Sequence, residues 1–163
     1  MKKVILLLFA LPFFFNTAQA QGNEVFSKGD QVINLGVGIG TYRTLPMTAS
    51  YEICIVDGIA KKGSIGIGGV AGFRAYLGRT TMSSSLIFGV KAAFHYNFVE
   101  NLDTYAGLLT AYSHYTTTST VNPSVFVPGV FVGARYYVKP KFAVFAEAGY
   151  GISTLNVGVA FKF

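Results

Sequence analysis

Apolar residues recur at every second position along most of this chain, in segments of about ten residues. In the first segment Ile33, Leu35, Val37 and Ile39 alternate with Asn34 and three glycines. Successive side chains of a β-strand point to opposite faces, so the pattern predicts strands with one apolar face. Eight segments are identified, at about residues 33–40, 47–55, 64–74, 85–97, 104–113, 130–137, 142–151 and 155–163. The fifth alternates poorly, and its faces stay unassigned.

Turn-forming residues separate the segments. They predict connections at residues 43–46, 57–63, 78–84, 100–101, 116–123 and 139–141, and the one at 116–123 is rich in Thr and Ser. Such short links between consecutive strands favour an up-and-down antiparallel arrangement.

Charged and ionisable residues within the segments all fall on the polar phase. They are Glu52, Arg74, Lys91, His95, Arg135, Glu147 and Lys162. A Lys or Arg facing lipid near the middle of a bilayer costs about 2–4 kcal/mol, so the pattern indicates that the apolar phase faces lipid. The polar phase is otherwise mostly Gly, Ala and Ser, which suits a narrow interior better than a wet surface.

Composition supports a membrane setting without spanning helices. The chain is 52% hydrophobic and 12% charged, about half the charge of a typical soluble domain. After residue 21 no stretch approaches the roughly 18 apolar residues of a spanning helix. A sheet in lipid must close, because an open edge leaves backbone groups unsatisfied. The predicted fold is therefore all-β: a closed antiparallel transmembrane up-and-down β-barrel of about eight strands.

The N-terminus has the layout of a secretory signal. Lys2 and Lys3 precede an apolar run at residues 4–15, and Ala18 and Ala20 fit cleavage before Gln21. We expect a signal peptide at 1–20, a short periplasmic N-terminal segment at 21–29 and the barrel at 30–163. With this N-terminus in the periplasm, outward aromatic residues form two rows, as the interfaces of transmembrane barrels require. Tyr96, Phe98, Tyr136, Phe142, Phe161 and Phe163 lie at the periplasmic rim, and Phe73, Phe126 and Tyr150 near the outer rim.

Several kinds of chemistry are not expected. Cys54 is the single cysteine, which excludes an internal disulfide. The basic residues are scattered, so no nucleic-acid surface is predicted. No metal-ligand cluster, cofactor motif or phosphate loop is recognised, and the glycines at 36, 38 and 40 are strand alternation.

The end of the chain carries a family resemblance. Asn156-x-Gly158-x-x-Phe161-x-Phe163 resembles the β-signal read by the barrel assembly machinery of the outer membrane. The mature chain resembles the small outer-membrane barrels typified by outer-membrane protein X and the membrane domain of outer-membrane protein A. Gly133-Ala-Arg135-Tyr136-Tyr137 with Phe145-Ala-Glu147-x-Gly149-Tyr-Gly151 is similar to the last hairpin of an outer-membrane β-barrel group common in Bacteroidetes.

The resemblance implies a place in the bacterial outer membrane. The implied partners are outer-membrane lipids and, during biogenesis, the assembly machinery and periplasmic chaperones, and we expect a monomer. Members of the group are mostly of unknown function, so the resemblance implies location and fold rather than a biochemical role.

Inside the barrel we expect a charge network of Glu52, Arg74, Lys91, Arg135 and Glu147. Counting around the turn at 139–141 places Val138 opposite Phe142 and Arg135 opposite Phe145, which puts Glu147 diagonal to Arg135 and predicts a salt bridge. A packing network is the favoured interpretation, with conduction or substrate binding as the alternative. Side chains just fill an eight-stranded interior, so a porin-like open channel is not expected.

The predicted role is structural, adhesive or surface-interacting, with no catalytic residues. A small-solute or hydrophobic-compound channel is the alternative. A lipid A-modifying enzyme is less favoured. Ser113 and His114 are adjacent in a strand and therefore point to opposite faces. Ser124 could partner His114 only through a geometry that the pattern leaves open, and His95 belongs near the periplasmic rim.

Overall fold

The computed structural model describes residues 25–40, 44–76, 83–116 and 124–163. The predicted signal peptide and parts of the connections at 43–46, 78–84 and 116–123 lie outside these residues. The strands are β1 (Gln31–Ile39), β2 (Thr44–Ile59), β3 (Gly63–Tyr76), β4 (Ser83–Val99), β5 (Leu102–Thr116), β6 (Ser124–Lys139), β7 (Phe142–Tyr150) and β8 (Leu155–Lys162). In these ranges no helix is long and apolar enough to cross a membrane.

The eight strands form a closed barrel in which each strand pairs with its sequence neighbours. The ring closes between β1 and β8, which are antiparallel from Val32 opposite Lys162 to Ile39 opposite Leu155. Closure pairs the edges that an open sheet would leave exposed. The predicted fold class is confirmed.

Several strands extend beyond the alternating segments. β2 begins at Thr44 rather than after a turn at 43–46, so this turn prediction is wrong for residues 44–46. Pro46 pairs with Arg74 near the start of the strand, where the missing N–H of proline is tolerated. Likewise Ser84 belongs to β4 rather than to the predicted loop. β6 begins at Ser124, six residues before the predicted segment, because Pro128 argued against a strand there.

The barrel has two distinct ends. At the turn end, three short links lie at residues 60–62, 100–101 and 140–141, next to residues 25–30 and the end of β8. Ala60, Lys61 and Asn101 have positive φ there, as tight hairpin turns require. The loop end carries the other connections, of which residues 151–154 are described in full.

The outer face of the barrel is apolar. Leu108, near the middle of β5, is 67% exposed, and alternate residues of the other strands are exposed in the same way. Exposed aromatic residues border this surface, with Phe98, Tyr136, Phe161 and Phe163 at the turn end and Phe126 and Tyr150 at the loop end. Among the described residues, the exposed charged side chains lie at the turn end. The predicted outward phase is confirmed.

The structure also assigns the faces of β5. Asp103, Tyr105 and Ser113 are buried inside, whereas Leu108 and Tyr112 are exposed outside. Leu108 and Leu109 are consecutive apolar residues, and this pair interrupted the alternation in the sequence.

Candidate functional site in the barrel lumen

Four charged side chains close into a ring inside the barrel. His95 of β4 lies 2.9 Å from Glu52 of β2 through Nε2 and 2.9 Å from Asp103 of β5 through Nδ1. Arg135 of β6 donates from Nη1 to Asp103 Oδ2 over 3.1 Å and from Nη2 to Glu52 Oε2. Glu52 therefore contacts the imidazole with Oε1 and the guanidinium with Oε2. Both oxygens of Asp103 lie within hydrogen-bond distance of the imidazole, and its Oδ2 also accepts from Arg135. We call these four residues the charge quartet.

The contacts of the quartet fit a balanced set of charges. Both ring nitrogens of His95 face carboxylate oxygens, which only accept hydrogen bonds when ionised, and this is the arrangement that an imidazolium requires. Two cations then balance two anions. All four side chains are at most 1% exposed, and burial of this kind is tolerated only when charges are paired and hydrogen-bonded.

A second group extends the quartet toward the loop end. Lys91 Nζ lies 3.9 Å from Glu52 and 3.7 Å from Glu147 of β7. The Tyr105 hydroxyl donates to Glu147 Oε2 over 3.3 Å. Lys91 also lies 4.4 Å above the Phe131 ring, and Arg135 lies 4.6 Å above the Tyr105 ring. Aromatic faces supply favourable contacts to buried cations whose carboxylate contacts are incomplete.

Glycines on the inward phase bring these side chains together. Gly68 of β3 pairs with Glu52 on one side and Lys91 on the other. Gly133 of β6 likewise pairs with Tyr105 and with Glu147. Because a glycine has no side chain, residues two strands apart meet across it. The glycine-rich polar phase thus allows a narrow lumen to hold long charged side chains.

The predicted network is only partly the one that forms. Glu52, Lys91, Arg135 and Glu147 lie in one connected group. Arg74 does not belong to it, contrary to the prediction, because its Nη2 donates to the carbonyl oxygens of Gly151 and Ile152 near the loop end. It therefore holds the connection between β7 and β8.

The predicted salt bridge between Arg135 and Glu147 is wrong. Arg135 does lie opposite Phe145, as counted, although a bulge puts Lys139 rather than Val138 opposite Phe142. Asp103 is directly opposite Arg135 on the other neighbouring strand. Directly opposed residues are closer than diagonal ones, about 5 against 7–8 Å, so Asp103 takes the guanidinium.

Sequence reasoning missed two members of the quartet. Asp103 lies one residue before the predicted fifth segment at 104–113, whose faces have no assignment, and His95 is predicted near the periplasmic rim without a partner. Counting around the Glu100–Asn101 turn would not have found them, because it pairs His95 with Ala106. A bulge between Tyr96 and Val99 shifts the register, so that Tyr105 lies opposite His95 and Asp103 shares the inward phase of Tyr105.

A small cavity lies on the loop-end side of the quartet. A cavity of about 30 Å³ is lined by Lys91, Glu147, Asn34 and Asn156, among others. Within the described residues, Oδ1 of Asn34 and Oδ1 of Asn156 are buried without a hydrogen-bond partner. A space of this size and polarity fits one or two water molecules, which those oxygens would bind.

The residues of the predicted assembly signal divide between the two faces of β8. Asn156 points inward and donates from Nδ2 to Thr48 over 2.8 Å. Phe161 and Phe163 are exposed on the outer face, and Phe161 packs on Phe142 with ring centroids 5.4 Å apart. Gly158 pairs with Gly36 and has no room for a side chain beside Phe145.

One contact at the loop end bears on the enzyme alternative. His114 Nδ1 lies 3.1 Å from Ser124 Oγ on exposed strand ends at the loop end. In the described part of the chain no carboxylate orients this histidine, as a catalytic triad would require. No cluster of three or more metal-ligating side chains occurs in the same residues.

Comparisons with known proteins match the fold rather than a family. No family model and no curated protein matches the chain. A designed transmembrane β-barrel superposes with a TM-score of 0.59 at 18% identity, covering 84% of this chain and 98% of that one. The N-terminal β-barrel domain of Pseudomonas aeruginosa OprF gives 0.59 at 13% identity, covering 83% and 98%. Ail, the attachment invasion locus protein of Yersinia pestis, gives 0.52 at 15% identity, covering 83% and 99%.

Proposed function

We propose that this chain is an integral protein of the bacterial outer membrane whose barrel is a closed anchor for a structural, adhesive or surface-interaction role. One observation carries the proposal: the outer face is apolar between two aromatic rows, while the charged side chains of the strands lie inside. Lipid is the solvent that favours this distribution. A similar barrel, Yersinia pestis Ail, is an outer membrane protein, which supports the same location here.

The closed lumen supports an anchor over a channel. Among the described residues, the quartet, Lys91, Phe131 and Phe145 are buried in the interior, and the cavity of about 30 Å³ beside Lys91 has room for no solute larger than water. Purified protein in planar bilayers should therefore give no ion conductance. Steady single-channel currents from the wild-type chain would favour the small-solute channel instead.

Location and insertion can be tested together. Cells producing the chain are separated into inner-membrane, outer-membrane and soluble fractions, and the mobility of unheated and heated samples on SDS gels reports the folded barrel. We expect the folded form in the outer-membrane fraction. Recovery in the soluble periplasmic fraction would refute membrane anchoring, and recovery in the inner membrane would refute the location.

An adhesive role would be carried by the loop end. The Thr/Ser-rich connection at 116–123 is the longest recognised in the sequence, and the neighbour Ail is named for attachment. Replacing residues 117–122 with Gly and Ser should reduce binding of whole cells to immobilised matrix proteins. Replacing 60–62 at the turn end is the matched control, because it faces the periplasm in the proposed topology. Equal binding by all three strains would leave the structural role.

The contact between His114 and Ser124 motivates one test of the enzyme alternative. Mass spectra of lipid A from cells with the wild-type chain and with Ser124→Ala should be identical, since no carboxylate among the described residues orients His114. Loss of an acyl chain that depends on Ser124 would establish lipid A chemistry.

A further inference from the structure

Phe26 precedes the first strand, yet it is one of the most deeply buried side chains, at 1% exposure. Its ring lies 4.5 Å from the His95 ring and 5.6 Å from Cζ of Arg135, so it covers the quartet from the turn end. The segment that the sequence leaves outside the barrel thus enters the lumen.

The pocket around Phe26 is assembled from strands on both sides of the barrel seam. Phe26 belongs to one cluster of buried residues that includes Val32 of β1, Cys54 of β2, Tyr137 of β6, Ala143 and Phe145 of β7, and Ala160 of β8. Gly66 of β3 also borders the ring, and a Cβ there would come within 3.0 Å of it. Because β1 and β8 both contribute, the complete pocket exists only after the barrel has closed.

Polar contacts hold the backbone of the segment across the mouth. Lys162 of β8 donates to the Val25 carbonyl over 3.0 Å and lies 3.3 Å from the Asp30 carboxylate. That carboxylate also accepts from the Ser27 N–H over 3.0 Å. On the opposite side, Gly29 N–H donates to the Cys54 carbonyl and Cys54 N–H donates to the Asp30 carbonyl. The segment is therefore tied to β2 and to β8.

We propose that the turn-end mouth is a binding site for one aromatic side chain on an extended peptide, and that residues 25–30 fill it as a plug that keeps water from the quartet. The bound aromatic ring makes apolar and π contacts with His95 and Arg135. Lys162 and the backbone of β2 bind the backbone of the peptide. The site is independent of the role proposed for the loop end. Its failure would leave membrane anchoring untouched.

Cys54 is a built-in reporter of the plug. It is the single cysteine of the chain, is 2% exposed, and its Sγ lies 3.9 Å from the Phe26 carbonyl oxygen. Burial protects a thiol from reagents, so labelling by a small charged methanethiosulfonate measures opening of the mouth. The full chain is refolded in detergent, and the labelling rate of Cys54 is compared between wild type and variants.

Phe26→Ala should label at least about tenfold faster than wild type, because the ring no longer covers the pocket. Phe26→Leu should also label faster, since it lacks the ring face. Lys28→Ala is the matched control in the same segment, because the Lys28 side chain is exposed and its backbone N–H makes the contact to Asp57. It should label at the wild-type rate.

Three results would overturn the proposal. They are rapid labelling of wild type, a folded Phe26→Ala variant that labels as slowly as wild type, and full protection in Phe26→Leu, which would remove the aromatic preference. Circular dichroism reports whether each variant folds. If Phe26→Ala does not fold, Asp30→Asn decides the matter, because it weakens the tie to Lys162 and leaves the ring in place. Faster labelling of Asp30→Asn supports the plug, and an unchanged rate refutes it.

Discussion

Arg135 is the residue whose removal should most clearly expose the energetics of the lumen. It is 0% exposed and binds both carboxylates of the quartet. Arg135→Met leaves Glu52 and Asp103 with His95 and the more distant Lys91 as counter-charges. Breaking a buried pair by removing one partner costs about 3–5 kcal/mol, and because His95 remains we expect a value near the lower end. Asp103→Leu should cost a similar amount, since it strips an acceptor from both Arg135 and His95.

The double variant Arg135→Met with Asp103→Leu should lose less free energy of unfolding than the two single variants lose together. It removes one charge of each sign and leaves Glu52 paired with His95, so no buried charge is uncompensated. The coupling free energy should reach about 2–3 kcal/mol, the upper range for residues in direct contact. Because the chain has no tryptophan, urea unfolding in liposomes is followed by far-UV circular dichroism.

A second double-mutant cycle, between Arg135 and Glu147, tests which charged residues of the lumen interact. Among the described residues Arg135 and Glu147 are linked indirectly, through Tyr105 and through Glu52 with Lys91, so their coupling free energy should be about 1 kcal/mol or less. A coupling between Arg135 and Glu147 that equals or exceeds the one between Arg135 and Asp103 would refute the arrangement described above. Additive effects of Arg135 and Asp103 would refute it equally.

Three further predictions concern the lipid face, the packing of the lumen and assembly. Leu108→Arg places a charge near the middle of the outer face and should lower the free energy of unfolding by about 2–4 kcal/mol, measured by the same urea titration. Gly133→Ala would put a methyl group 2.6 Å from the Tyr105 ring and should lower the free energy of unfolding by about 1–3 kcal/mol. Gly69→Ala, whose added methyl group would have its nearest neighbour at 3.6 Å, should be close to neutral. Equal effects of the two substitutions would contradict the packing argument. Deletion of Phe163 should lower the folded fraction recovered from cells without abolishing refolding in detergent, and unchanged assembly would remove the support for a C-terminal signal.

The architecture and the two faces of the barrel could be predicted from the order of the residues alone. Period-two alternation depends on backbone geometry alone, so it revealed strands, and the restriction of charges to one phase revealed which phase avoids lipid. It failed locally where this signal is weak: at the two consecutive leucines of β5, and at the starts of β2 and β6, where prolines suggested a turn or no strand.

Which charges pair and what closes the turn end became visible in the folded barrel. Phase tells whether a side chain points inward, but partners depend on register across several strands and on glycine gaps that let residues two strands apart meet. Asp103 therefore displaced Glu147 as the partner of Arg135, and His95 entered the quartet. Phe26 lies in no strand and has no periodicity, so its position inside the lumen follows from a pocket that exists only once β1 and β8 have joined.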